Sequence, residues 1–175
     1  MNTMRPLAIL SVILGAFLQI AARTEPSKKQ DLHLSISPMQ SQVKVGSDIQ
    51  LELTLKNISK SPVLASRSAR LHDFTYLEVV DEHGKTVGWK GKIASKSYSP
   101  DTFVVLKPGQ SISFQAVISS STDGYEMQEP GTYRVRAEFS ISPKEYFAPV
   151  AQGSRIPEQP SHSNWVTITV SPAEP

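Results

Sequence analysis

An alternating stretch between Val45 and Asn57 constrains the fold of this chain more than any other segment. Positions 49, 51, 53 and 55 are isoleucine or leucine, whereas the positions between them are polar or charged. Successive side chains of a β-strand point to opposite faces, so this period of two predicts a strand with one buried and one solvated face. Such a strand is not stable alone, because it needs neighbouring strands and a second apolar layer.

The rest of the chain supplies more candidate strands. Each is an alternating or short apolar segment bounded by turn residues: residues 32–37, 43–45, 62–64, 74–81, 86–89, 103–106, 112–118, 132–140 and 165–171. The 13 prolines disfavour long helices. We therefore expect an all-β domain with an immunoglobulin-like Greek-key β-sandwich fold of seven to eight strands, preceded by an N-terminal signal helix.

Turn signals separate these segments. Pro108–Gly109 and Pro130–Gly131 place glycine directly after proline, which is the preference of a type II turn. Gly84 predicts a hairpin turn with positive φ. Tyr133 lies at the start of a late strand, where the tyrosine of a tyrosine corner donates its hydroxyl to backbone a few residues upstream. We expect Tyr133 to make that bond.

The first 22 residues predict a secretory signal. Arg5 is basic, the run from Leu7 to Ile20 is mostly apolar, and Ala21–Ala22 supplies small residues for cleavage. The alternative is an uncleaved anchor, but an apolar run of about 15 residues is shorter than the roughly 20 that span a bilayer as a helix. We expect an exported protein, periplasmic or extracellular, without stable membrane insertion after cleavage.

The expected domain boundaries follow from these signals: a signal peptide at 1–22, a polar leader at 23–31, the sandwich at 32–171 and a tail at 172–175. The chain has no cysteine, which excludes disulfides and cysteine-bound metals. Small exported eukaryotic domains usually depend on disulfides, so a bacterial source is favoured. The net charge of +2 gives no reason to expect a nucleic acid partner.

The residues that usually carry catalysis do not form a recognisable motif. The four histidines have no zinc-ligand spacing, and His72–Asp73 has no accompanying serine in a G-x-S-x-G turn. The acidic pairs Asp81–Glu82 and Asp123 with Glu126 do not fit a calcium-binding loop. We assign no catalytic, metal or cofactor-binding residue, and we expect no enzymatic activity.

Two segments contain candidate interaction residues. Residues 143–160 are rich in proline, and they include Tyr146, Phe147 and Arg155, which are residue types that anchor protein interfaces. The alternative is that the aromatic pair covers one end of the core. Trp89 lies among Lys85, Lys90, Lys92 and Lys96, which suits either contact with an anionic surface or protection of an edge hairpin against aggregation.

Five short motifs resemble those of a known family: LTLKN at 53–57, HDF at 72–74, DEHGKTV at 81–87, LKPGQS at 106–111 and PGTYRV at 130–135. In this order, over about residues 51–139, the chain resembles the bacterial intracellular proteinase inhibitor family. The resemblance implies a small immunoglobulin-like sandwich and inhibition of a protease. The chain differs from the family in two ways, because Gly88 separates the hairpin valine from Trp89 and because the chain carries an export signal.

Three functions are consistent with the sequence. The first is a non-catalytic binding module that acts through contacts with a protein partner. The second is an inhibitor of a secreted or periplasmic protease that presents the loop at 143–160. The third is a carbohydrate-binding accessory module, which needs a row of exposed aromatic rings on one sheet face. The available rings for such a row are Trp89, Trp165 and Tyr76.

Overall fold

The computed structural model describes residues 30–68, 75–91, 100–118, 124–125, 127, 129–141 and 153–173. These residues form ten strands and one 3-10 turn at Pro100–Thr102. The strands are β1 (Leu32–Pro38), β2 (Gln42–Lys44), β3 (Ile49–Asn57), β4 (Val63–Ser66), β5 (Thr75–Val80), β6 (Phe103–Leu106), β7 (Ser111–Ile118), β8 (Gly131–Phe139), β9 (Ser161–His162) and β10 (Val166–Ser171). No helix in this part of the chain is long and apolar enough to cross a membrane. The predicted signal helix lies outside the described residues.

The strands form two main sheets. One has the order β1-β3-β7, and the other has the order β2-β10-β8-β5 with β9 paired to β8. In an immunoglobulin sandwich, strands A, B and E share one sheet and strands C, F and G share the other. Here β1, β3 and β7 take the first set of places, and β5, β8 and β10 take the second. The predicted all-β immunoglobulin-like sandwich is therefore confirmed.

The two N-terminal strands, predicted at 32–37 and 43–45, lie in different sheets. β1 pairs antiparallel with β3, whereas β2 pairs parallel with β10. The Val45 N–H donates to the Ser171 carbonyl at 2.9 Å, and the Thr169 N–H donates to the Ser41 carbonyl at 2.8 Å. These bonds tie the N-terminal part of the sandwich to its last strand.

The core lies between the two sheets and is filled by alternate residues of their strands. In β3 every second residue from Ile49 to Asn57 is buried. β8 shows the same alternation, with Tyr133, Val135, Ala137 and Phe139 buried. The prediction of these inward-facing rows is confirmed. Tyr125 and Met127 also join the core from the connection between β7 and β8.

Asn57 is a buried polar residue whose hydrogen-bonding capacity is fully used. Its side chain is 0% exposed. The Nδ2 atom donates to the carbonyls of Ser61 and Leu106, and the Oδ1 atom accepts from the backbone N–H and hydroxyl of Ser59, all at 2.8 Å. An amide makes two donor and two acceptor bonds in this way.

The short strand expected at 62–64 is present as β4, which is buried throughout and pairs with β6 in a two-stranded sheet. Two other local predictions need correction. Gly131 was expected to adopt positive φ, as Gly84 and Gly109 do. Instead it is the first residue of β8 and pairs with Val170, so its backbone is extended. The connection before Ser163 was expected to lack strands, yet it contains β9.

Candidate functional site

The outer face of the β2-β10-β8-β5 sheet carries a cluster of arginine and tryptophan side chains. Arg134 and Arg136 are two positions apart on β8 and therefore project from the same face. Val166 of β10 lies opposite Val135, which brings the preceding residue, Trp165, beside them. The guanidinium carbons of Arg134 and Arg136 each lie 4.8 Å from the centroid of the Trp165 ring. This geometry is that of a cation–π interaction.

A carboxylate holds the second arginine in place. Arg136 lies opposite Glu78 of β5 in the register. Its Nε atom donates to Oε2 of Glu78 at 2.6 Å, and its Nη2 atom lies 2.5 Å from the same oxygen. Arg134 is exposed and makes no ion pair with any described residue.

The same face continues along β5 and β8. Tyr76 is 39% exposed and lies opposite Glu138. The Nδ1 atom of His162 lies 3.7 Å from Oε2 of Glu138. We call the group formed by Tyr76, Glu78, Arg134, Arg136 and Trp165 the arginine–tryptophan face. Aromatic residues and arginine are the residue types that contribute most to protein–protein binding energy.

A cleft of about 380 Å³ lies at one end of the sandwich, between the hairpin at 81–88 and the turn at 129–133. The polar groups of this cleft are largely used by the turns themselves. Asp81 Oδ1 accepts from the N–H groups of His83 and Lys85 at 2.9 and 2.8 Å. The Tyr133 hydroxyl donates to the Glu129 carbonyl at 2.9 Å, which confirms the predicted tyrosine corner.

The surroundings of the cleft raise the pKa of Tyr133. Burial, and then the negative charge of the Glu129 carboxylate, raise the pKa of Tyr133 above its ordinary value. The hydroxyl is therefore protonated and serves as a hydrogen-bond donor. No group of three or more metal-ligating side chains occurs among the described residues. Asp81 and Tyr133 of this cleft are each bonded within the turns that form it.

Arg155, a predicted interaction residue, is held against the sandwich. Its Nη1 atom lies 3.2 Å from Oδ1 of Asp31. The Arg155 N–H donates to the Pro62 carbonyl, and the Leu64 N–H donates to the Arg155 carbonyl, both at 2.8 Å. The Asp31 side chain is 4% exposed, whereas that of Arg155 is 53% exposed. Arg155 thus anchors the end of the predicted loop to β4 and to the start of β1.

Trp89 is the other predicted interaction residue that the structure describes. Trp89 is half-buried, packs against the core and bridges to Tyr125 through its backbone. Tyr146 and Phe147 lie outside the described residues, as do Lys92, Lys96 and the His72–Asp73 pair. Of the four predicted interaction residues, the structure therefore describes Trp89 and Arg155, and a shared site stays a prediction.

Sequence reasoning missed the arginine–tryptophan face. The alternation in β8 correctly predicts that Arg134 and Arg136 point outward. However, Trp165 belongs to a segment about 30 residues further along the chain. Its position beside these arginines depends on the antiparallel pairing of β8 with β10, which the local pattern does not specify. The signals available in the sequence were the row of outward arginines and the aromatic residues Trp165 and Tyr76, without their positions relative to one another.

The chain was compared with known proteins. No family model matches it, and no curated protein matches it. It is similar to a solved CARDB domain from Pyrococcus furiosus in complex with di-metal ions, with 16% identity, 83% of this chain and 96% of that domain covered, and a TM-score of 0.41. It is also similar to β-glucosidases from Listeria innocua and Erythrobacter marinus, with 15% and 13% identity and TM-scores of 0.43 and 0.42.

In both glucosidases the match covers 81% of this chain but only 16% of the enzyme. All three TM-scores are low, and the immunoglobulin-like fold is assigned from the strand order of this chain. The fold that the proteinase-inhibitor resemblance implied is thus confirmed. Membership of that family and inhibition of a protease stay predictions.

Proposed function

We propose that this protein is a non-catalytic binding module that contacts a protein partner through its arginine–tryptophan face. The observation that carries the proposal is the placement of two guanidinium groups over one indole ring. Stacking restrains the two long side chains before binding, so less conformational entropy is lost when a partner orders them. Tyr76 adds an exposed ring on the same face.

The partner that this face fits is an acidic protein segment. Arg134 has no carboxylate partner among the described residues, and guanidinium groups bind carboxylates through two parallel hydrogen bonds. A sugar ligand is a poorer fit, because sugars stack on open aromatic faces and the guanidinium groups already lie over Trp165. The N-terminal signal expected from the sequence would deliver the module to the periplasm or exterior, where the partner would be found.

The proposal is tested by affinity capture from envelope and extracellular fractions of the source cell. Three baits are compared: the unchanged protein, the variant Arg134→Glu, and the control Lys56→Glu. Lys56 is exposed on the outer face of the other main sheet, so the control carries the same charge change at a remote position. We expect a partner that the control retains, that Arg134→Glu loses, and that is released as salt is raised.

A partner captured equally by all three baits would contradict the proposed face. A partner whose binding is unaffected by salt would also contradict the proposed face. A direct titration of the purified partner against each variant then gives the loss in affinity, which we expect to be at least about tenfold for Arg134→Glu, since a charge-assisted bond is worth about 1.5–3 kcal/mol.

One observation favours the protease inhibitor as a second candidate. The backbone bonds between Arg155 and β4 fix the end of the proline-rich loop at 143–160, and a fixed loop loses less entropy on binding. This candidate is tested against serine, cysteine and metalloproteases with the variant Tyr146→Ala/Phe147→Ala. Stoichiometric inhibition that this variant loses would favour the inhibitor, whereas no inhibition by the unchanged protein would exclude the proteases tested.

A further inference from the structure

The outer edge of β7 is open in the described part of the chain. β7 is the last strand in the order β1-β3-β7, and it pairs only with β3, from Ile49 opposite Ile118 to Lys56 opposite Ser111. In an immunoglobulin sandwich of the constant type, a fourth strand lies beside strand E. Here β6, which precedes β7, pairs with β4 instead. No described strand therefore lies on the side of β7 away from β3.

The register identifies the backbone groups on this open edge. The Asn57 N–H donates to the Gln110 carbonyl at 2.9 Å, so these two residues, which continue the register of the β3–β7 ladder, direct backbone groups toward each other. Hydrogen-bonded and non-bonded pairs alternate along an antiparallel ladder. The even-numbered residues of β7 therefore bond to β3. The odd-numbered residues direct their N–H and C=O groups to the open edge: Ser111, Ser113, Gln115 and Val117.

β7 lacks the features that normally prevent edge pairing. Its sequence SISFQAVI contains no charge and no proline, and its eight-residue register has no bulge. The outer edges of β5 and β1 are partly covered. The Val87 N–H donates to the Val79 carbonyl of β5 at 2.8 Å. The Asn164 side chain bonds both the N–H and the carbonyl of Ile36 in β1 at 3.1 Å.

Apolar surface accompanies the open edge. Ile112 and Phe114 point toward the core but are only half-buried. Val117 points outward and is 46% exposed. A strand added beside β7 would remove part of this apolar surface from water and would satisfy the edge N–H and C=O groups. Both effects favour pairing with an extended strand.

We propose that β7 pairs antiparallel with β7 of a second copy of this chain, about a two-fold axis at Phe114. In this register Ser113 lies opposite Gln115 of the second copy, and Ser111 lies opposite Val117 of the second copy. These are the residues with outward backbone groups, and each such pair exchanges two hydrogen bonds. The two three-stranded sheets then become one continuous sheet.

Self-pairing suits this strand better than capture of an unrelated peptide. A two-fold interface places the same strand on both sides, so a strand with net charge would face an identical charge, and β7 has no charge. Lys56 of β3 lies beside Ser111, which faces Val117 of the second copy. Val117 in turn lies beside Gln50 of the second copy, so Lys56 and Gln50 are the two ends of one row across the interface. No like charges meet. A foreign peptide is usually selected by pockets or charges beside the edge, and the outward row of β7 offers no charge.

The test measures molar mass and amide hydrogen exchange of the purified protein over a wide range of concentration. We expect the mass to rise toward twice that of the monomer. Over the same range, the amides of Ser113, Gln115 and Val117 should become protected. The amides of Phe114 and Ala116, which bond to β3, should be protected at every concentration. This alternating pattern is specific to pairing at the edge of β7.

Two variants make the test decisive. Val117→Lys places a charge on the open edge, and Gln50→Lys places the same charge directly opposite it on β3. Both positions are exposed, so the fold should tolerate either change. We expect Val117→Lys to remain monomeric and Gln50→Lys to dimerise. A dimer that survives Val117→Lys, a monomer at all concentrations, or edge amides already protected in the dilute monomer would each overturn the proposal.

Discussion

The buried hydroxyl of Tyr125 makes the stability of the fold depend on pH. Its side chain is 4% exposed, and its hydroxyl donates to the Leu77 carbonyl at 2.7 Å. Burial raises the pKa of Tyr125 from 10.0 to about 12. Above pH 10 the tyrosine of the unfolded chain therefore ionises while that of the folded chain stays protonated. The stability that depends on Tyr125 is full below pH 10 and is lost as the pH rises toward 12.

We predict that the free energy of unfolding falls more steeply between pH 10 and pH 12 in the unchanged protein than in Tyr125→Phe. The difference should approach about 3 kcal/mol, because one pKa unit corresponds to about 1.4 kcal/mol. Urea unfolding at several pH values measures it. The variant should start about 1 kcal/mol less stable because the hydroxyl bond is lost. Equal slopes in the two proteins would contradict the assignment to Tyr125.

At the scale of the element, two glycines that look alike in the sequence have different roles. Gly109 and Gly131 both follow proline in a predicted type II turn. Gly109 has a φ of 78°, whereas Gly131 is extended as the first residue of β8. A Cβ atom at Gly109 would meet nothing within 4 Å, and one at Gly131 would lie 3.8 Å from the Tyr133 ring. Backbone conformation, rather than space, therefore separates the two sites.

We predict that Gly109→Ala lowers the free energy of unfolding by about 1–2 kcal/mol, which is the penalty for an L-residue in the left-handed region. Gly131→Ala should be neutral or stabilising by up to about 1 kcal/mol, because alanine restricts the unfolded chain. Thermal and urea unfolding of both variants provide the measurement. A larger loss at Gly131 than at Gly109 would show that the assigned backbone conformations are wrong.

The elements also show what the sequence could predict. Strands β1, β3, β7, β8 and β10 follow from alternation, because one of their faces is buried and the other is wet. β4 does not, because pairing with β6 and burial on both faces remove the period of two. The arginine–tryptophan face was missed for a related reason. It depends on which strands become neighbours, and that choice is made by the packing of the whole sheet.

At the scale of the whole molecule, the Asp31–Arg155 ion pair joins distant parts of the chain. Asp31 precedes β1, and Arg155 is bonded through its backbone to the entry of β4. The carboxylate is buried, so removal of the guanidinium leaves a poorly solvated charge. If Arg155 stabilises the fold, its removal lowers the stability of the free protein. If Arg155 only contacts a partner, its removal leaves that stability unchanged.

We predict that Arg155→Ala destabilises the free protein by about 1–3 kcal/mol, less than for a fully buried pair because the guanidinium is half-exposed. The same substitution in an Asp31→Asn background should have a much smaller effect, since no charge is left unpaired. Urea unfolding of the four proteins in this double-mutant cycle gives the coupling energy. Equal losses in both backgrounds would mean that Arg155 acts independently of Asp31.

The parallel pairing of β2 with β10 has a mechanical consequence. If the domain is pulled by the segment before β1 and by the segment after β10, the two strands are drawn in opposite directions along their length. Their bonds, among them the one from Val45 to Ser171, are then loaded together in shear and cannot open one after another. We therefore expect this pairing to resist tension between the two ends more strongly than a pairing whose bonds open one at a time.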